Sequence, residues 1–388
     1  MKKKLISKDI INGINKISKN KKLSLHEPLF FKEDFNFIKK CLKSTNVSSH
    51  SNYVNLFENK ISSYTKSKYS IATINGTSAL QMSLLALGVK RNDEIVIPNY
   101  NYIAPANAVL YCDAIPLFLD IELDTYGLDP VNFENFLEEN CYSINNKTYN
   151  KKTKNLIKAV IATHVYGNPC KINSLIKISK KYNIKIIEDA SEAMGSFYKS
   201  KHLGTFGDIG VLSFNGNKII TTGGGGIAIT NNLKLYKELK LISTIGKKKN
   251  SFWDYKKLGF NYRMPGINAA LGISQLKKID FIKRKKTKLF KKYLKVFSKN
   301  QNFNVVIPKS KNSNNWLVSI FLKNGSYSLR DTIVKNSIKK NYNVRPGWKI
   351  MTKIKHFKKY KLKNDINSKI AEKSLICLPS SWHILRNR

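Results

Sequence analysis

The sequence has 388 residues, which is more than one ordinary compact domain holds and indicates one large plus one small domain. Hydrophobic residues make up 42% of the chain, so wholesale disorder is excluded. Lysine and arginine number 69 against 25 acidic residues, which gives a formal net charge of +44. Such a charge fits either a polyanion-binding surface or a composition-wide drift towards lysine.

Lysine accompanies asparagine and isoleucine throughout the chain, as an AT-rich genome would impose, and no nucleic-acid-binding motif accompanies it. We therefore expect no specific nucleic-acid partner. No apolar run is long enough for a membrane helix, and the basic N-terminus lacks the apolar core of a signal peptide, so we expect a cytoplasmic protein without integral membrane association. Five scattered cysteines and six unclustered histidines predict neither a disulfide framework nor a metal site.

Taken in chain order, a basic and weakly amphipathic lead-in, whose pattern is compatible with a helix, covers residues 1–24. Apolar runs rich in β-branched residues then alternate with helical patterns of about ten residues. Predicted strands cover 69–75, 94–99, 115–121, 158–167, 184–190, 209–215 and 225–230. Predicted helices cover 78–88, 103–112, 173–183 and 231–245, and an Asn/Lys-rich exposed loop covers 144–155. This alternation predicts an α/β fold whose sheet is mostly parallel and buried on both faces.

A second unit follows the large one, which we place at residues 25–245. Its first part contains a strongly basic helical pattern over 269–299, and short strand-like runs follow within 303–388. We therefore expect residues 246–388 to form connecting helices and a smaller α+β domain. In the large domain, ligands should bind beyond the carboxyl ends of the parallel strands.

The segment NGTSAL at 75–80 follows the first predicted strand and begins a helix. Gly76 permits a tight turn there, and Thr77 or Ser78 is a suitable helix cap. The N–H groups and hydroxyls of such a helix start also suit a phosphate. Ordinary capping and phosphate binding both remain open at this point.

Two further strand ends carry side chains that can bind a ligand or react with one. EDAS at 188–191 puts Asp189 at the end of a buried strand, where it either holds a protonated ring nitrogen or caps the next turn. SFNGNK at 213–218 puts Lys218 on a glycine-flanked turn before the run GGGG, as expected for a Schiff-base lysine or for one of many surface lysines. A phosphate cradle, an aspartate and an imine-forming lysine together are what pyridoxal phosphate (PLP) requires.

These motifs, with HVYGNPC, EDASEAMGS, TTGGGG and LGFNYRMPGINAALG, resemble the DegT/StrS family of PLP-dependent sugar-nucleotide aminotransferases from about residue 25 to residue 381. The resemblance implies the type I aminotransferase fold, PLP as cofactor, and a homodimer with shared active sites. It implies that Lys218 forms the imine with the cofactor and moves protons. The other implied cofactor contacts are Asp189 at the pyridine nitrogen, Thr77, Ser78 and Ser213 at the phosphate, Tyr102 stacked on the ring, and Glu192 at the ring hydroxyl.

Asn261 is implied to reach the phosphate in the neighbouring subunit, with a local turn contact as the alternative. VRPGWKIM at 344–351 resembles the subgroup that acts on UDP-linked 4-keto-6-deoxy-N-acetylhexosamines. This implies that His164, Arg345 and Trp348 contact the sugar nucleotide, although packing is an equal alternative for Trp348. The implied activity is transamination of a 4-keto sugar to a 4-amino sugar, with glutamate as amine donor, for surface polysaccharide biosynthesis. The competing hypothesis is a catalytically silent polyanion-binding protein on the same fold.

Overall fold

A seven-stranded sheet forms the centre of the larger unit in this computed structural model, which describes residues 2–18, 22–248, 252–360, 362 and 364–385. The strands are β1 (Tyr69–Thr73), β2 (Glu94–Pro98), β3 (Ile115–Leu119), β6 (Ile157–Thr163), β7 (Lys185–Asp189), β10 (Ile209–Ser213) and β11 (Gly226–Thr230). Their order is β1-β11-β10-β7-β6-β2-β3, and β11 is antiparallel to both of its neighbours while the other pairings are parallel. The mostly parallel sheet expected from the sequence is therefore confirmed.

Helices cover this sheet on both faces, because its central strands carry apolar side chains on both sides. The helices of this part of the chain are α2 (Lys32–Lys43), α3 (Asn52–Thr65), α4 (Gly76–Ala86), α5 (Ile103–Leu110), α6 (Pro130–Asn140), α7 (Ile172–Lys181), α8 (Leu233–Ser243) and α9 (Gly266–Leu276). Helix α9 packs against α2 and α3. Its residues Ala269 and Ile273 are fully buried in the same core as Phe57 of α3.

The smaller unit is a four-stranded antiparallel sheet with helices against it. Its elements are α10 (Ile279–Phe297), β12 (Phe303–Val305), β13 (Ser319–Leu322), α11 (Tyr327–Lys339), β14 (Arg345–Pro346), α12 (Ile366–Ser374) and β15 (Leu375–Cys377). The strand order is β12-β13-β15-β14. The N-terminal helix α1 (Lys2–Ile17) belongs to this core, since Ile6, Ile10 and Ile14 are buried against α10 and α11. Over Lys2–Ile17 the basic lead-in is thus an amphipathic helix packed against α10 and α11 of the smaller unit.

Two local expectations were wrong. The Asn/Lys-rich stretch 144–155 is not all loop, because β4 (Cys141–Ile144) and β5 (Lys147–Asn150) form a hairpin. Asn145 and Asn146 connect the strands with φ angles of 48° and 59°, the left-handed pair that a two-residue hairpin turn requires and that asparagine tolerates. The helical pattern over 269–299 is broken between α9 and α10, where Lys278 binds the buried Asp34 at 3.0 Å.

A small hairpin completes the fold, formed by β8 (Phe197–Tyr198) and β9 (Lys201–His202). Among the described residues, no helix combines the length and apolar character needed to cross a membrane.

Candidate active site

A cavity of about 410 Å³ opens at the carboxyl ends of the parallel strands, within the size range of small-molecule sites. Residues that follow β1, β2, β6, β7 and β10 line one side, and residues of the smaller unit line the other. The lining includes Asn75, Gly76, Thr77, Asn101, Tyr102, Thr163, Tyr166, Asp189, Ser191, Glu192, Ser213, Asn217, Lys218, Trp316, Arg345, Trp348 and Cys377.

The start of α4 forms an anion cradle at one end of the cavity. Asn75, and neither Thr77 nor Ser78, is the helix cap, because its side chain accepts the Ser78 N–H at 2.8 Å. Gly76 and Thr77 line the cavity and have no helical carbonyl for their N–H groups, which leaves these donors available to an anion. A Cβ on Gly76 would lie 3.2 Å from the Ser213 Cβ and 3.5 Å from the Ser191 Oγ, so two hydroxyl-bearing residues close this cradle.

Lys218 presents its amine to the cavity from a tight turn. The turn is closed by the Lys218 N–H, which donates to the Asn215 carbonyl at 2.9 Å. The amine lies 3.5 Å from the Glu192 Oε1 and 4.4 Å from the centre of the Trp316 ring, which adds a cation–π contact. Only 14% of its side chain is exposed, so the residues of the cavity wall shield the amine from most of the bulk solvent.

Glu192 is a buried carboxyl with a raised pKa. Burial brings that pKa to about 7, and the nearby Asp189 acts in the same direction, while Lys218 and the Tyr166 N–H oppose the shift. The Tyr166 N–H donates to its Oε2 at 2.8 Å. Glu192 is therefore placed to gain or lose a proton near neutral pH beside the Lys218 amine.

Asp189 ends the central strand β7 and lines the cavity, and its Oδ1 accepts the Ser191 N–H at 3.1 Å. The preceding residue, Glu188, points to the other side and is fully buried. Glu188 accepts the N–H groups of Gly204, Phe206 and Gly207 and binds the His164 Nε2 at 2.9 Å. This network anchors the strand end that carries Asp189.

The small unit supplies the opposite wall. Arg345 and Trp348 lie on and just after β14 and line the cavity together with Tyr102, which is 57% exposed. The Tyr102 ring centre lies 6.4 Å from that of Trp348. This wall thus combines a cation with aromatic faces and is open to solvent.

Comparisons with known proteins identify the family of this chain. The model of the DegT/DnrJ/EryC1/StrS aminotransferase family matches residues 30–387. The chain belongs to this family. The resemblance drawn from the sequence motifs is therefore confirmed, and the protein is a PLP-dependent sugar aminotransferase.

Relatives in this family cover most of the chain. GDP-perosamine synthase of Escherichia coli O157:H7 is 36% identical over 307 residues, which is 78% of this chain and 79% of the relative. The UDP-4-amino-4,6-dideoxy-N-acetyl-beta-L-altrosamine transaminase of Campylobacter jejuni serotype O:2 is 32% identical over 331 residues, 84% of each chain. The solved structure of Helicobacter pylori PseC, an aminotransferase involved in the biosynthesis of pseudoaminic acid, superposes with a TM-score of 0.84 at 25% identity and covers 93% of this chain and 94% of PseC.

The cavity suits the family's cofactor, PLP, which supplies an electron-accepting ring when it is bound. The cradle at Gly76, Thr77, Ser191 and Ser213 would hold its phosphate, because it offers neutral donors and no carboxylate. The Lys218 amine and the Asp189 carboxylate lie on the same cavity wall, as an imine-forming lysine and a ring-nitrogen partner must.

Seven sequence-predicted site residues besides Lys218 line this cavity: Thr77, Tyr102, Asp189, Glu192, Ser213, Arg345 and Trp348. Three do not. Ser78 is outside the cavity lining, and its N–H donates to the Asn75 side chain. His164 is fully buried and outside the cavity lining, where it binds Glu188 and accepts the Cys170 N–H, so it does not contact a ligand in the cavity. Asn261 is exposed away from its own chain's cavity, and its role in a partner subunit stays a prediction.

Trp316 and Tyr166 line the cavity but were not among the site residues predicted from the sequence. Trp316 lies between β12 and β13, and its indole N–H donates to the Asn217 carbonyl at 2.8 Å, which fixes the ring beside Lys218. The sequence around Trp316 gives no sign that this ring contacts Lys218, because the two residues are far apart in the chain. Tyr166 carried a signal in HVYGN, since it follows a strand end closely.

Proposed function

We propose that this aminotransferase converts a nucleotide-linked 4-keto-6-deoxy sugar, preferentially a UDP-linked N-acetylhexosamine, to the 4-amino sugar with glutamate as amine donor. The product would enter surface polysaccharide or glycan biosynthesis. The observation that carries the proposal is the convergence of Lys218, Asp189 and the anion cradle at one end of a cavity whose open wall presents Arg345 and Trp348.

The relatives support a C4 amine on a nucleotide-linked sugar. The Campylobacter transaminase is named for a UDP-linked 4-amino-4,6-dideoxy sugar, and the Escherichia coli relative is named for GDP-perosamine. Transamination forms an amine from a ketone, so a 4-amino product requires a 4-keto substrate. The motif at 344–351 favours the UDP-linked hexosamine over the GDP-linked sugar.

In the proposed reaction, different residues of the cavity have different roles. The Lys218 amine faces the cavity, so it is placed to carry a proton between the cofactor and the reacting carbon of each substrate. Glu192 lies 3.5 Å from that amine, and the Asp189 carboxylate would pair with the protonated ring nitrogen of the cofactor when it is bound. The Arg345 guanidinium on the open wall would bind the diphosphate of the nucleotide.

We also propose a homodimer that completes each active site. Phe252, Trp253 and Leu258 are each more than four-fifths exposed, which is unusual for large apolar side chains on one short segment. Asn261 lies shortly after this segment and is exposed as well. A second copy of the chain that covers these side chains would bring Asn261 to the partner's cavity.

The decisive experiment is an amine-transfer assay of the PLP-loaded protein with glutamate and a panel of UDP- and GDP-linked 4-keto-6-deoxy sugars. The position and stereochemistry of the new amine are read by NMR. We expect turnover with a UDP-linked 4-keto-N-acetylhexosamine and formation of 2-oxoglutarate. Turnover confined to GDP-linked sugars would refute the UDP assignment, and absence of transfer to every 4-keto sugar would refute the proposal.

A further inference from the structure

Two buried tyrosines meet beside the cavity, hydroxyl to hydroxyl. The Tyr100 and Tyr166 hydroxyl oxygens lie 3.0 Å apart. Tyr100 is completely buried, whereas Tyr166 is 7% exposed and lines the cavity. Neither residue belongs to the cofactor contacts described above, so their pairing has another role.

The backbone of the small unit determines the direction of this hydrogen bond. The Trp348 N–H donates to the Tyr100 oxygen at 3.1 Å. If Tyr166 also donated to Tyr100, the Tyr100 proton would be buried without an acceptor, which is unfavourable. Tyr100 therefore accepts from Trp348 and donates to Tyr166.

This direction leaves the Tyr166 hydroxyl proton for another acceptor. The protein group beside it is the thiol of Cys377, and burial raises the pKa of that thiol to about 11. A protonated thiol is a weak acceptor. The Tyr166 hydroxyl thus presents an underused donor at the cavity wall.

Both tyrosines are held firmly in place. Tyr166 has a φ of 55° in the left-handed region, and its N–H is bound to Glu192 at 2.8 Å. On the other side, a Cβ on Gly347 would lie only 2.3 Å from the Tyr100 hydroxyl, so glycine is needed there for close approach. The donor is consequently preorganised between the Lys218–Glu192 end of the cavity and the Arg345–Trp348 end.

We propose that Tyr166 contacts the substrate directly and donates its hydroxyl proton to an oxygen of the sugar moiety, with Tyr100 as the positioning residue that orients it. This inference rests on the proposed sugar-nucleotide substrate. The Trp348 ring centre lies 4.9 Å from that of Tyr166, so an aromatic face and a hydrogen-bond donor stand side by side. A sugar ring offers both complementary features, apolar C–H groups and oxygen acceptors.

The test measures affinity, by titration calorimetry of the PLP-loaded protein, for UDP-N-acetylglucosamine and GDP-mannose and for UDP and GDP alone. These sugars have no 4-keto group for transamination. Of the two sugar nucleotides, the one that the unaltered protein binds more tightly is the reference ligand. We expect Tyr166→Phe to weaken its binding about 3- to 10-fold, while affinity for the corresponding nucleotide without the sugar is unchanged. Tyr100→Phe should give the same selective loss, because Tyr166 then loses the group that orients it.

Tyr126→Phe is the matched control, since Tyr126 is a buried tyrosine outside the cavity lining. Thermal melting of each variant reports folding, and the ratio of sugar-nucleotide to nucleotide affinity within one variant is insensitive to a reduced folded fraction. Unchanged sugar-nucleotide affinity in Tyr166→Phe, or equal weakening of both ligands, would overturn the inference. Failure of the unaltered protein to bind either sugar nucleotide would instead overturn the proposed function.

Discussion

The raised pKa of Glu192 makes a quantitative prediction about stability. In the cofactor-free protein, burial brings the pKa of this carboxyl from its ordinary value of 4.5 to about 7. The perturbation we choose is Glu192→Gln, which keeps an oxygen acceptor for the Tyr166 N–H but has no ionisable group. The substitution should therefore remove the pH dependence that this one carboxyl imposes on unfolding.

The sign follows from proton linkage. Between pH 4.5 and pH 7 the folded protein holds the Glu192 proton more tightly than the unfolded chain does, so stability decreases as pH rises through this window. A pKa difference of one between the folded and unfolded states is equivalent to about 1.4 kcal/mol, so the full loss is about 3 kcal/mol once the pH exceeds the folded pKa. Below the unfolded pKa the carboxyl contributes no penalty, because it is protonated in both states.

The assay is urea unfolding of the cofactor-free protein at about pH 5 and about pH 8, where Glu192 is respectively protonated and ionised in the folded state. We expect Glu192→Gln to change the free energy of unfolding little at the lower pH and to raise it by about 3 kcal/mol at the higher pH. Glu139→Gln is the control, because this carboxyl is exposed. It should have the same small effect at both values.

A Glu192→Gln effect that is independent of pH would show that folding does not shift the pKa of Glu192 and would refute the prediction. A larger stabilisation at low pH than at high pH would show that folding shifts this pKa in the opposite direction. In that case the Lys218 ammonium would outweigh burial, and Glu192 would be ionised throughout the neutral range.

Three further predictions concern the cofactor, the cradle and the dimer. Lys218→Ala should abolish amine transfer and the visible absorbance of protein-bound PLP, whereas Lys237→Ala on the exposed face of α8 should retain both; a Lys218 variant with normal absorbance would exclude this lysine as the attachment point. Asn75→Ala and Asn232→Ala each remove a helix cap and should cost about 0.5–2 kcal/mol in urea unfolding, but only Asn75→Ala should weaken PLP binding in fluorescence titrations. Equal PLP affinities in the two variants would contradict phosphate binding at the start of α4. Trp253→Ser should shift sedimentation velocity profiles from dimer towards monomer, and an unaltered profile would argue against this segment as an interface.

Much of the cavity was predictable from the sequence because it lies at strand ends. Parallel strands bring their carboxyl ends to one edge of a sheet, so Thr77, Tyr102, Asp189 and Ser213 meet although they are far apart in the chain. The buried strands themselves were marked by continuous apolar runs.

His164 shows why a position at a strand end is not sufficient. Thr163 and His164 are consecutive, and successive side chains in extended backbone point to opposite sides. Thr163 consequently lines the cavity while His164 turns to Glu188, and no pattern in HVYGN tells which of them does so. The isoleucines of α1 are a second case, because their spacing predicts a helix but does not predict that Ile6 and Ile10 pack against α10 and α11.

The Lys218–Trp316 contact has a practical consequence. The Trp316 indole ring lies 4.4 Å from the amine that we propose as the cofactor's attachment point, which is close enough for its fluorescence to be quenched when the cofactor occupies the site. Trp348 lines the same cavity, whereas Trp253 is largely exposed and Trp382 is buried outside the cavity lining. Trp316 is thus an intrinsic fluorescent probe in the candidate active site. Cofactor loading should be measurable from the ultraviolet emission of the protein without any added label.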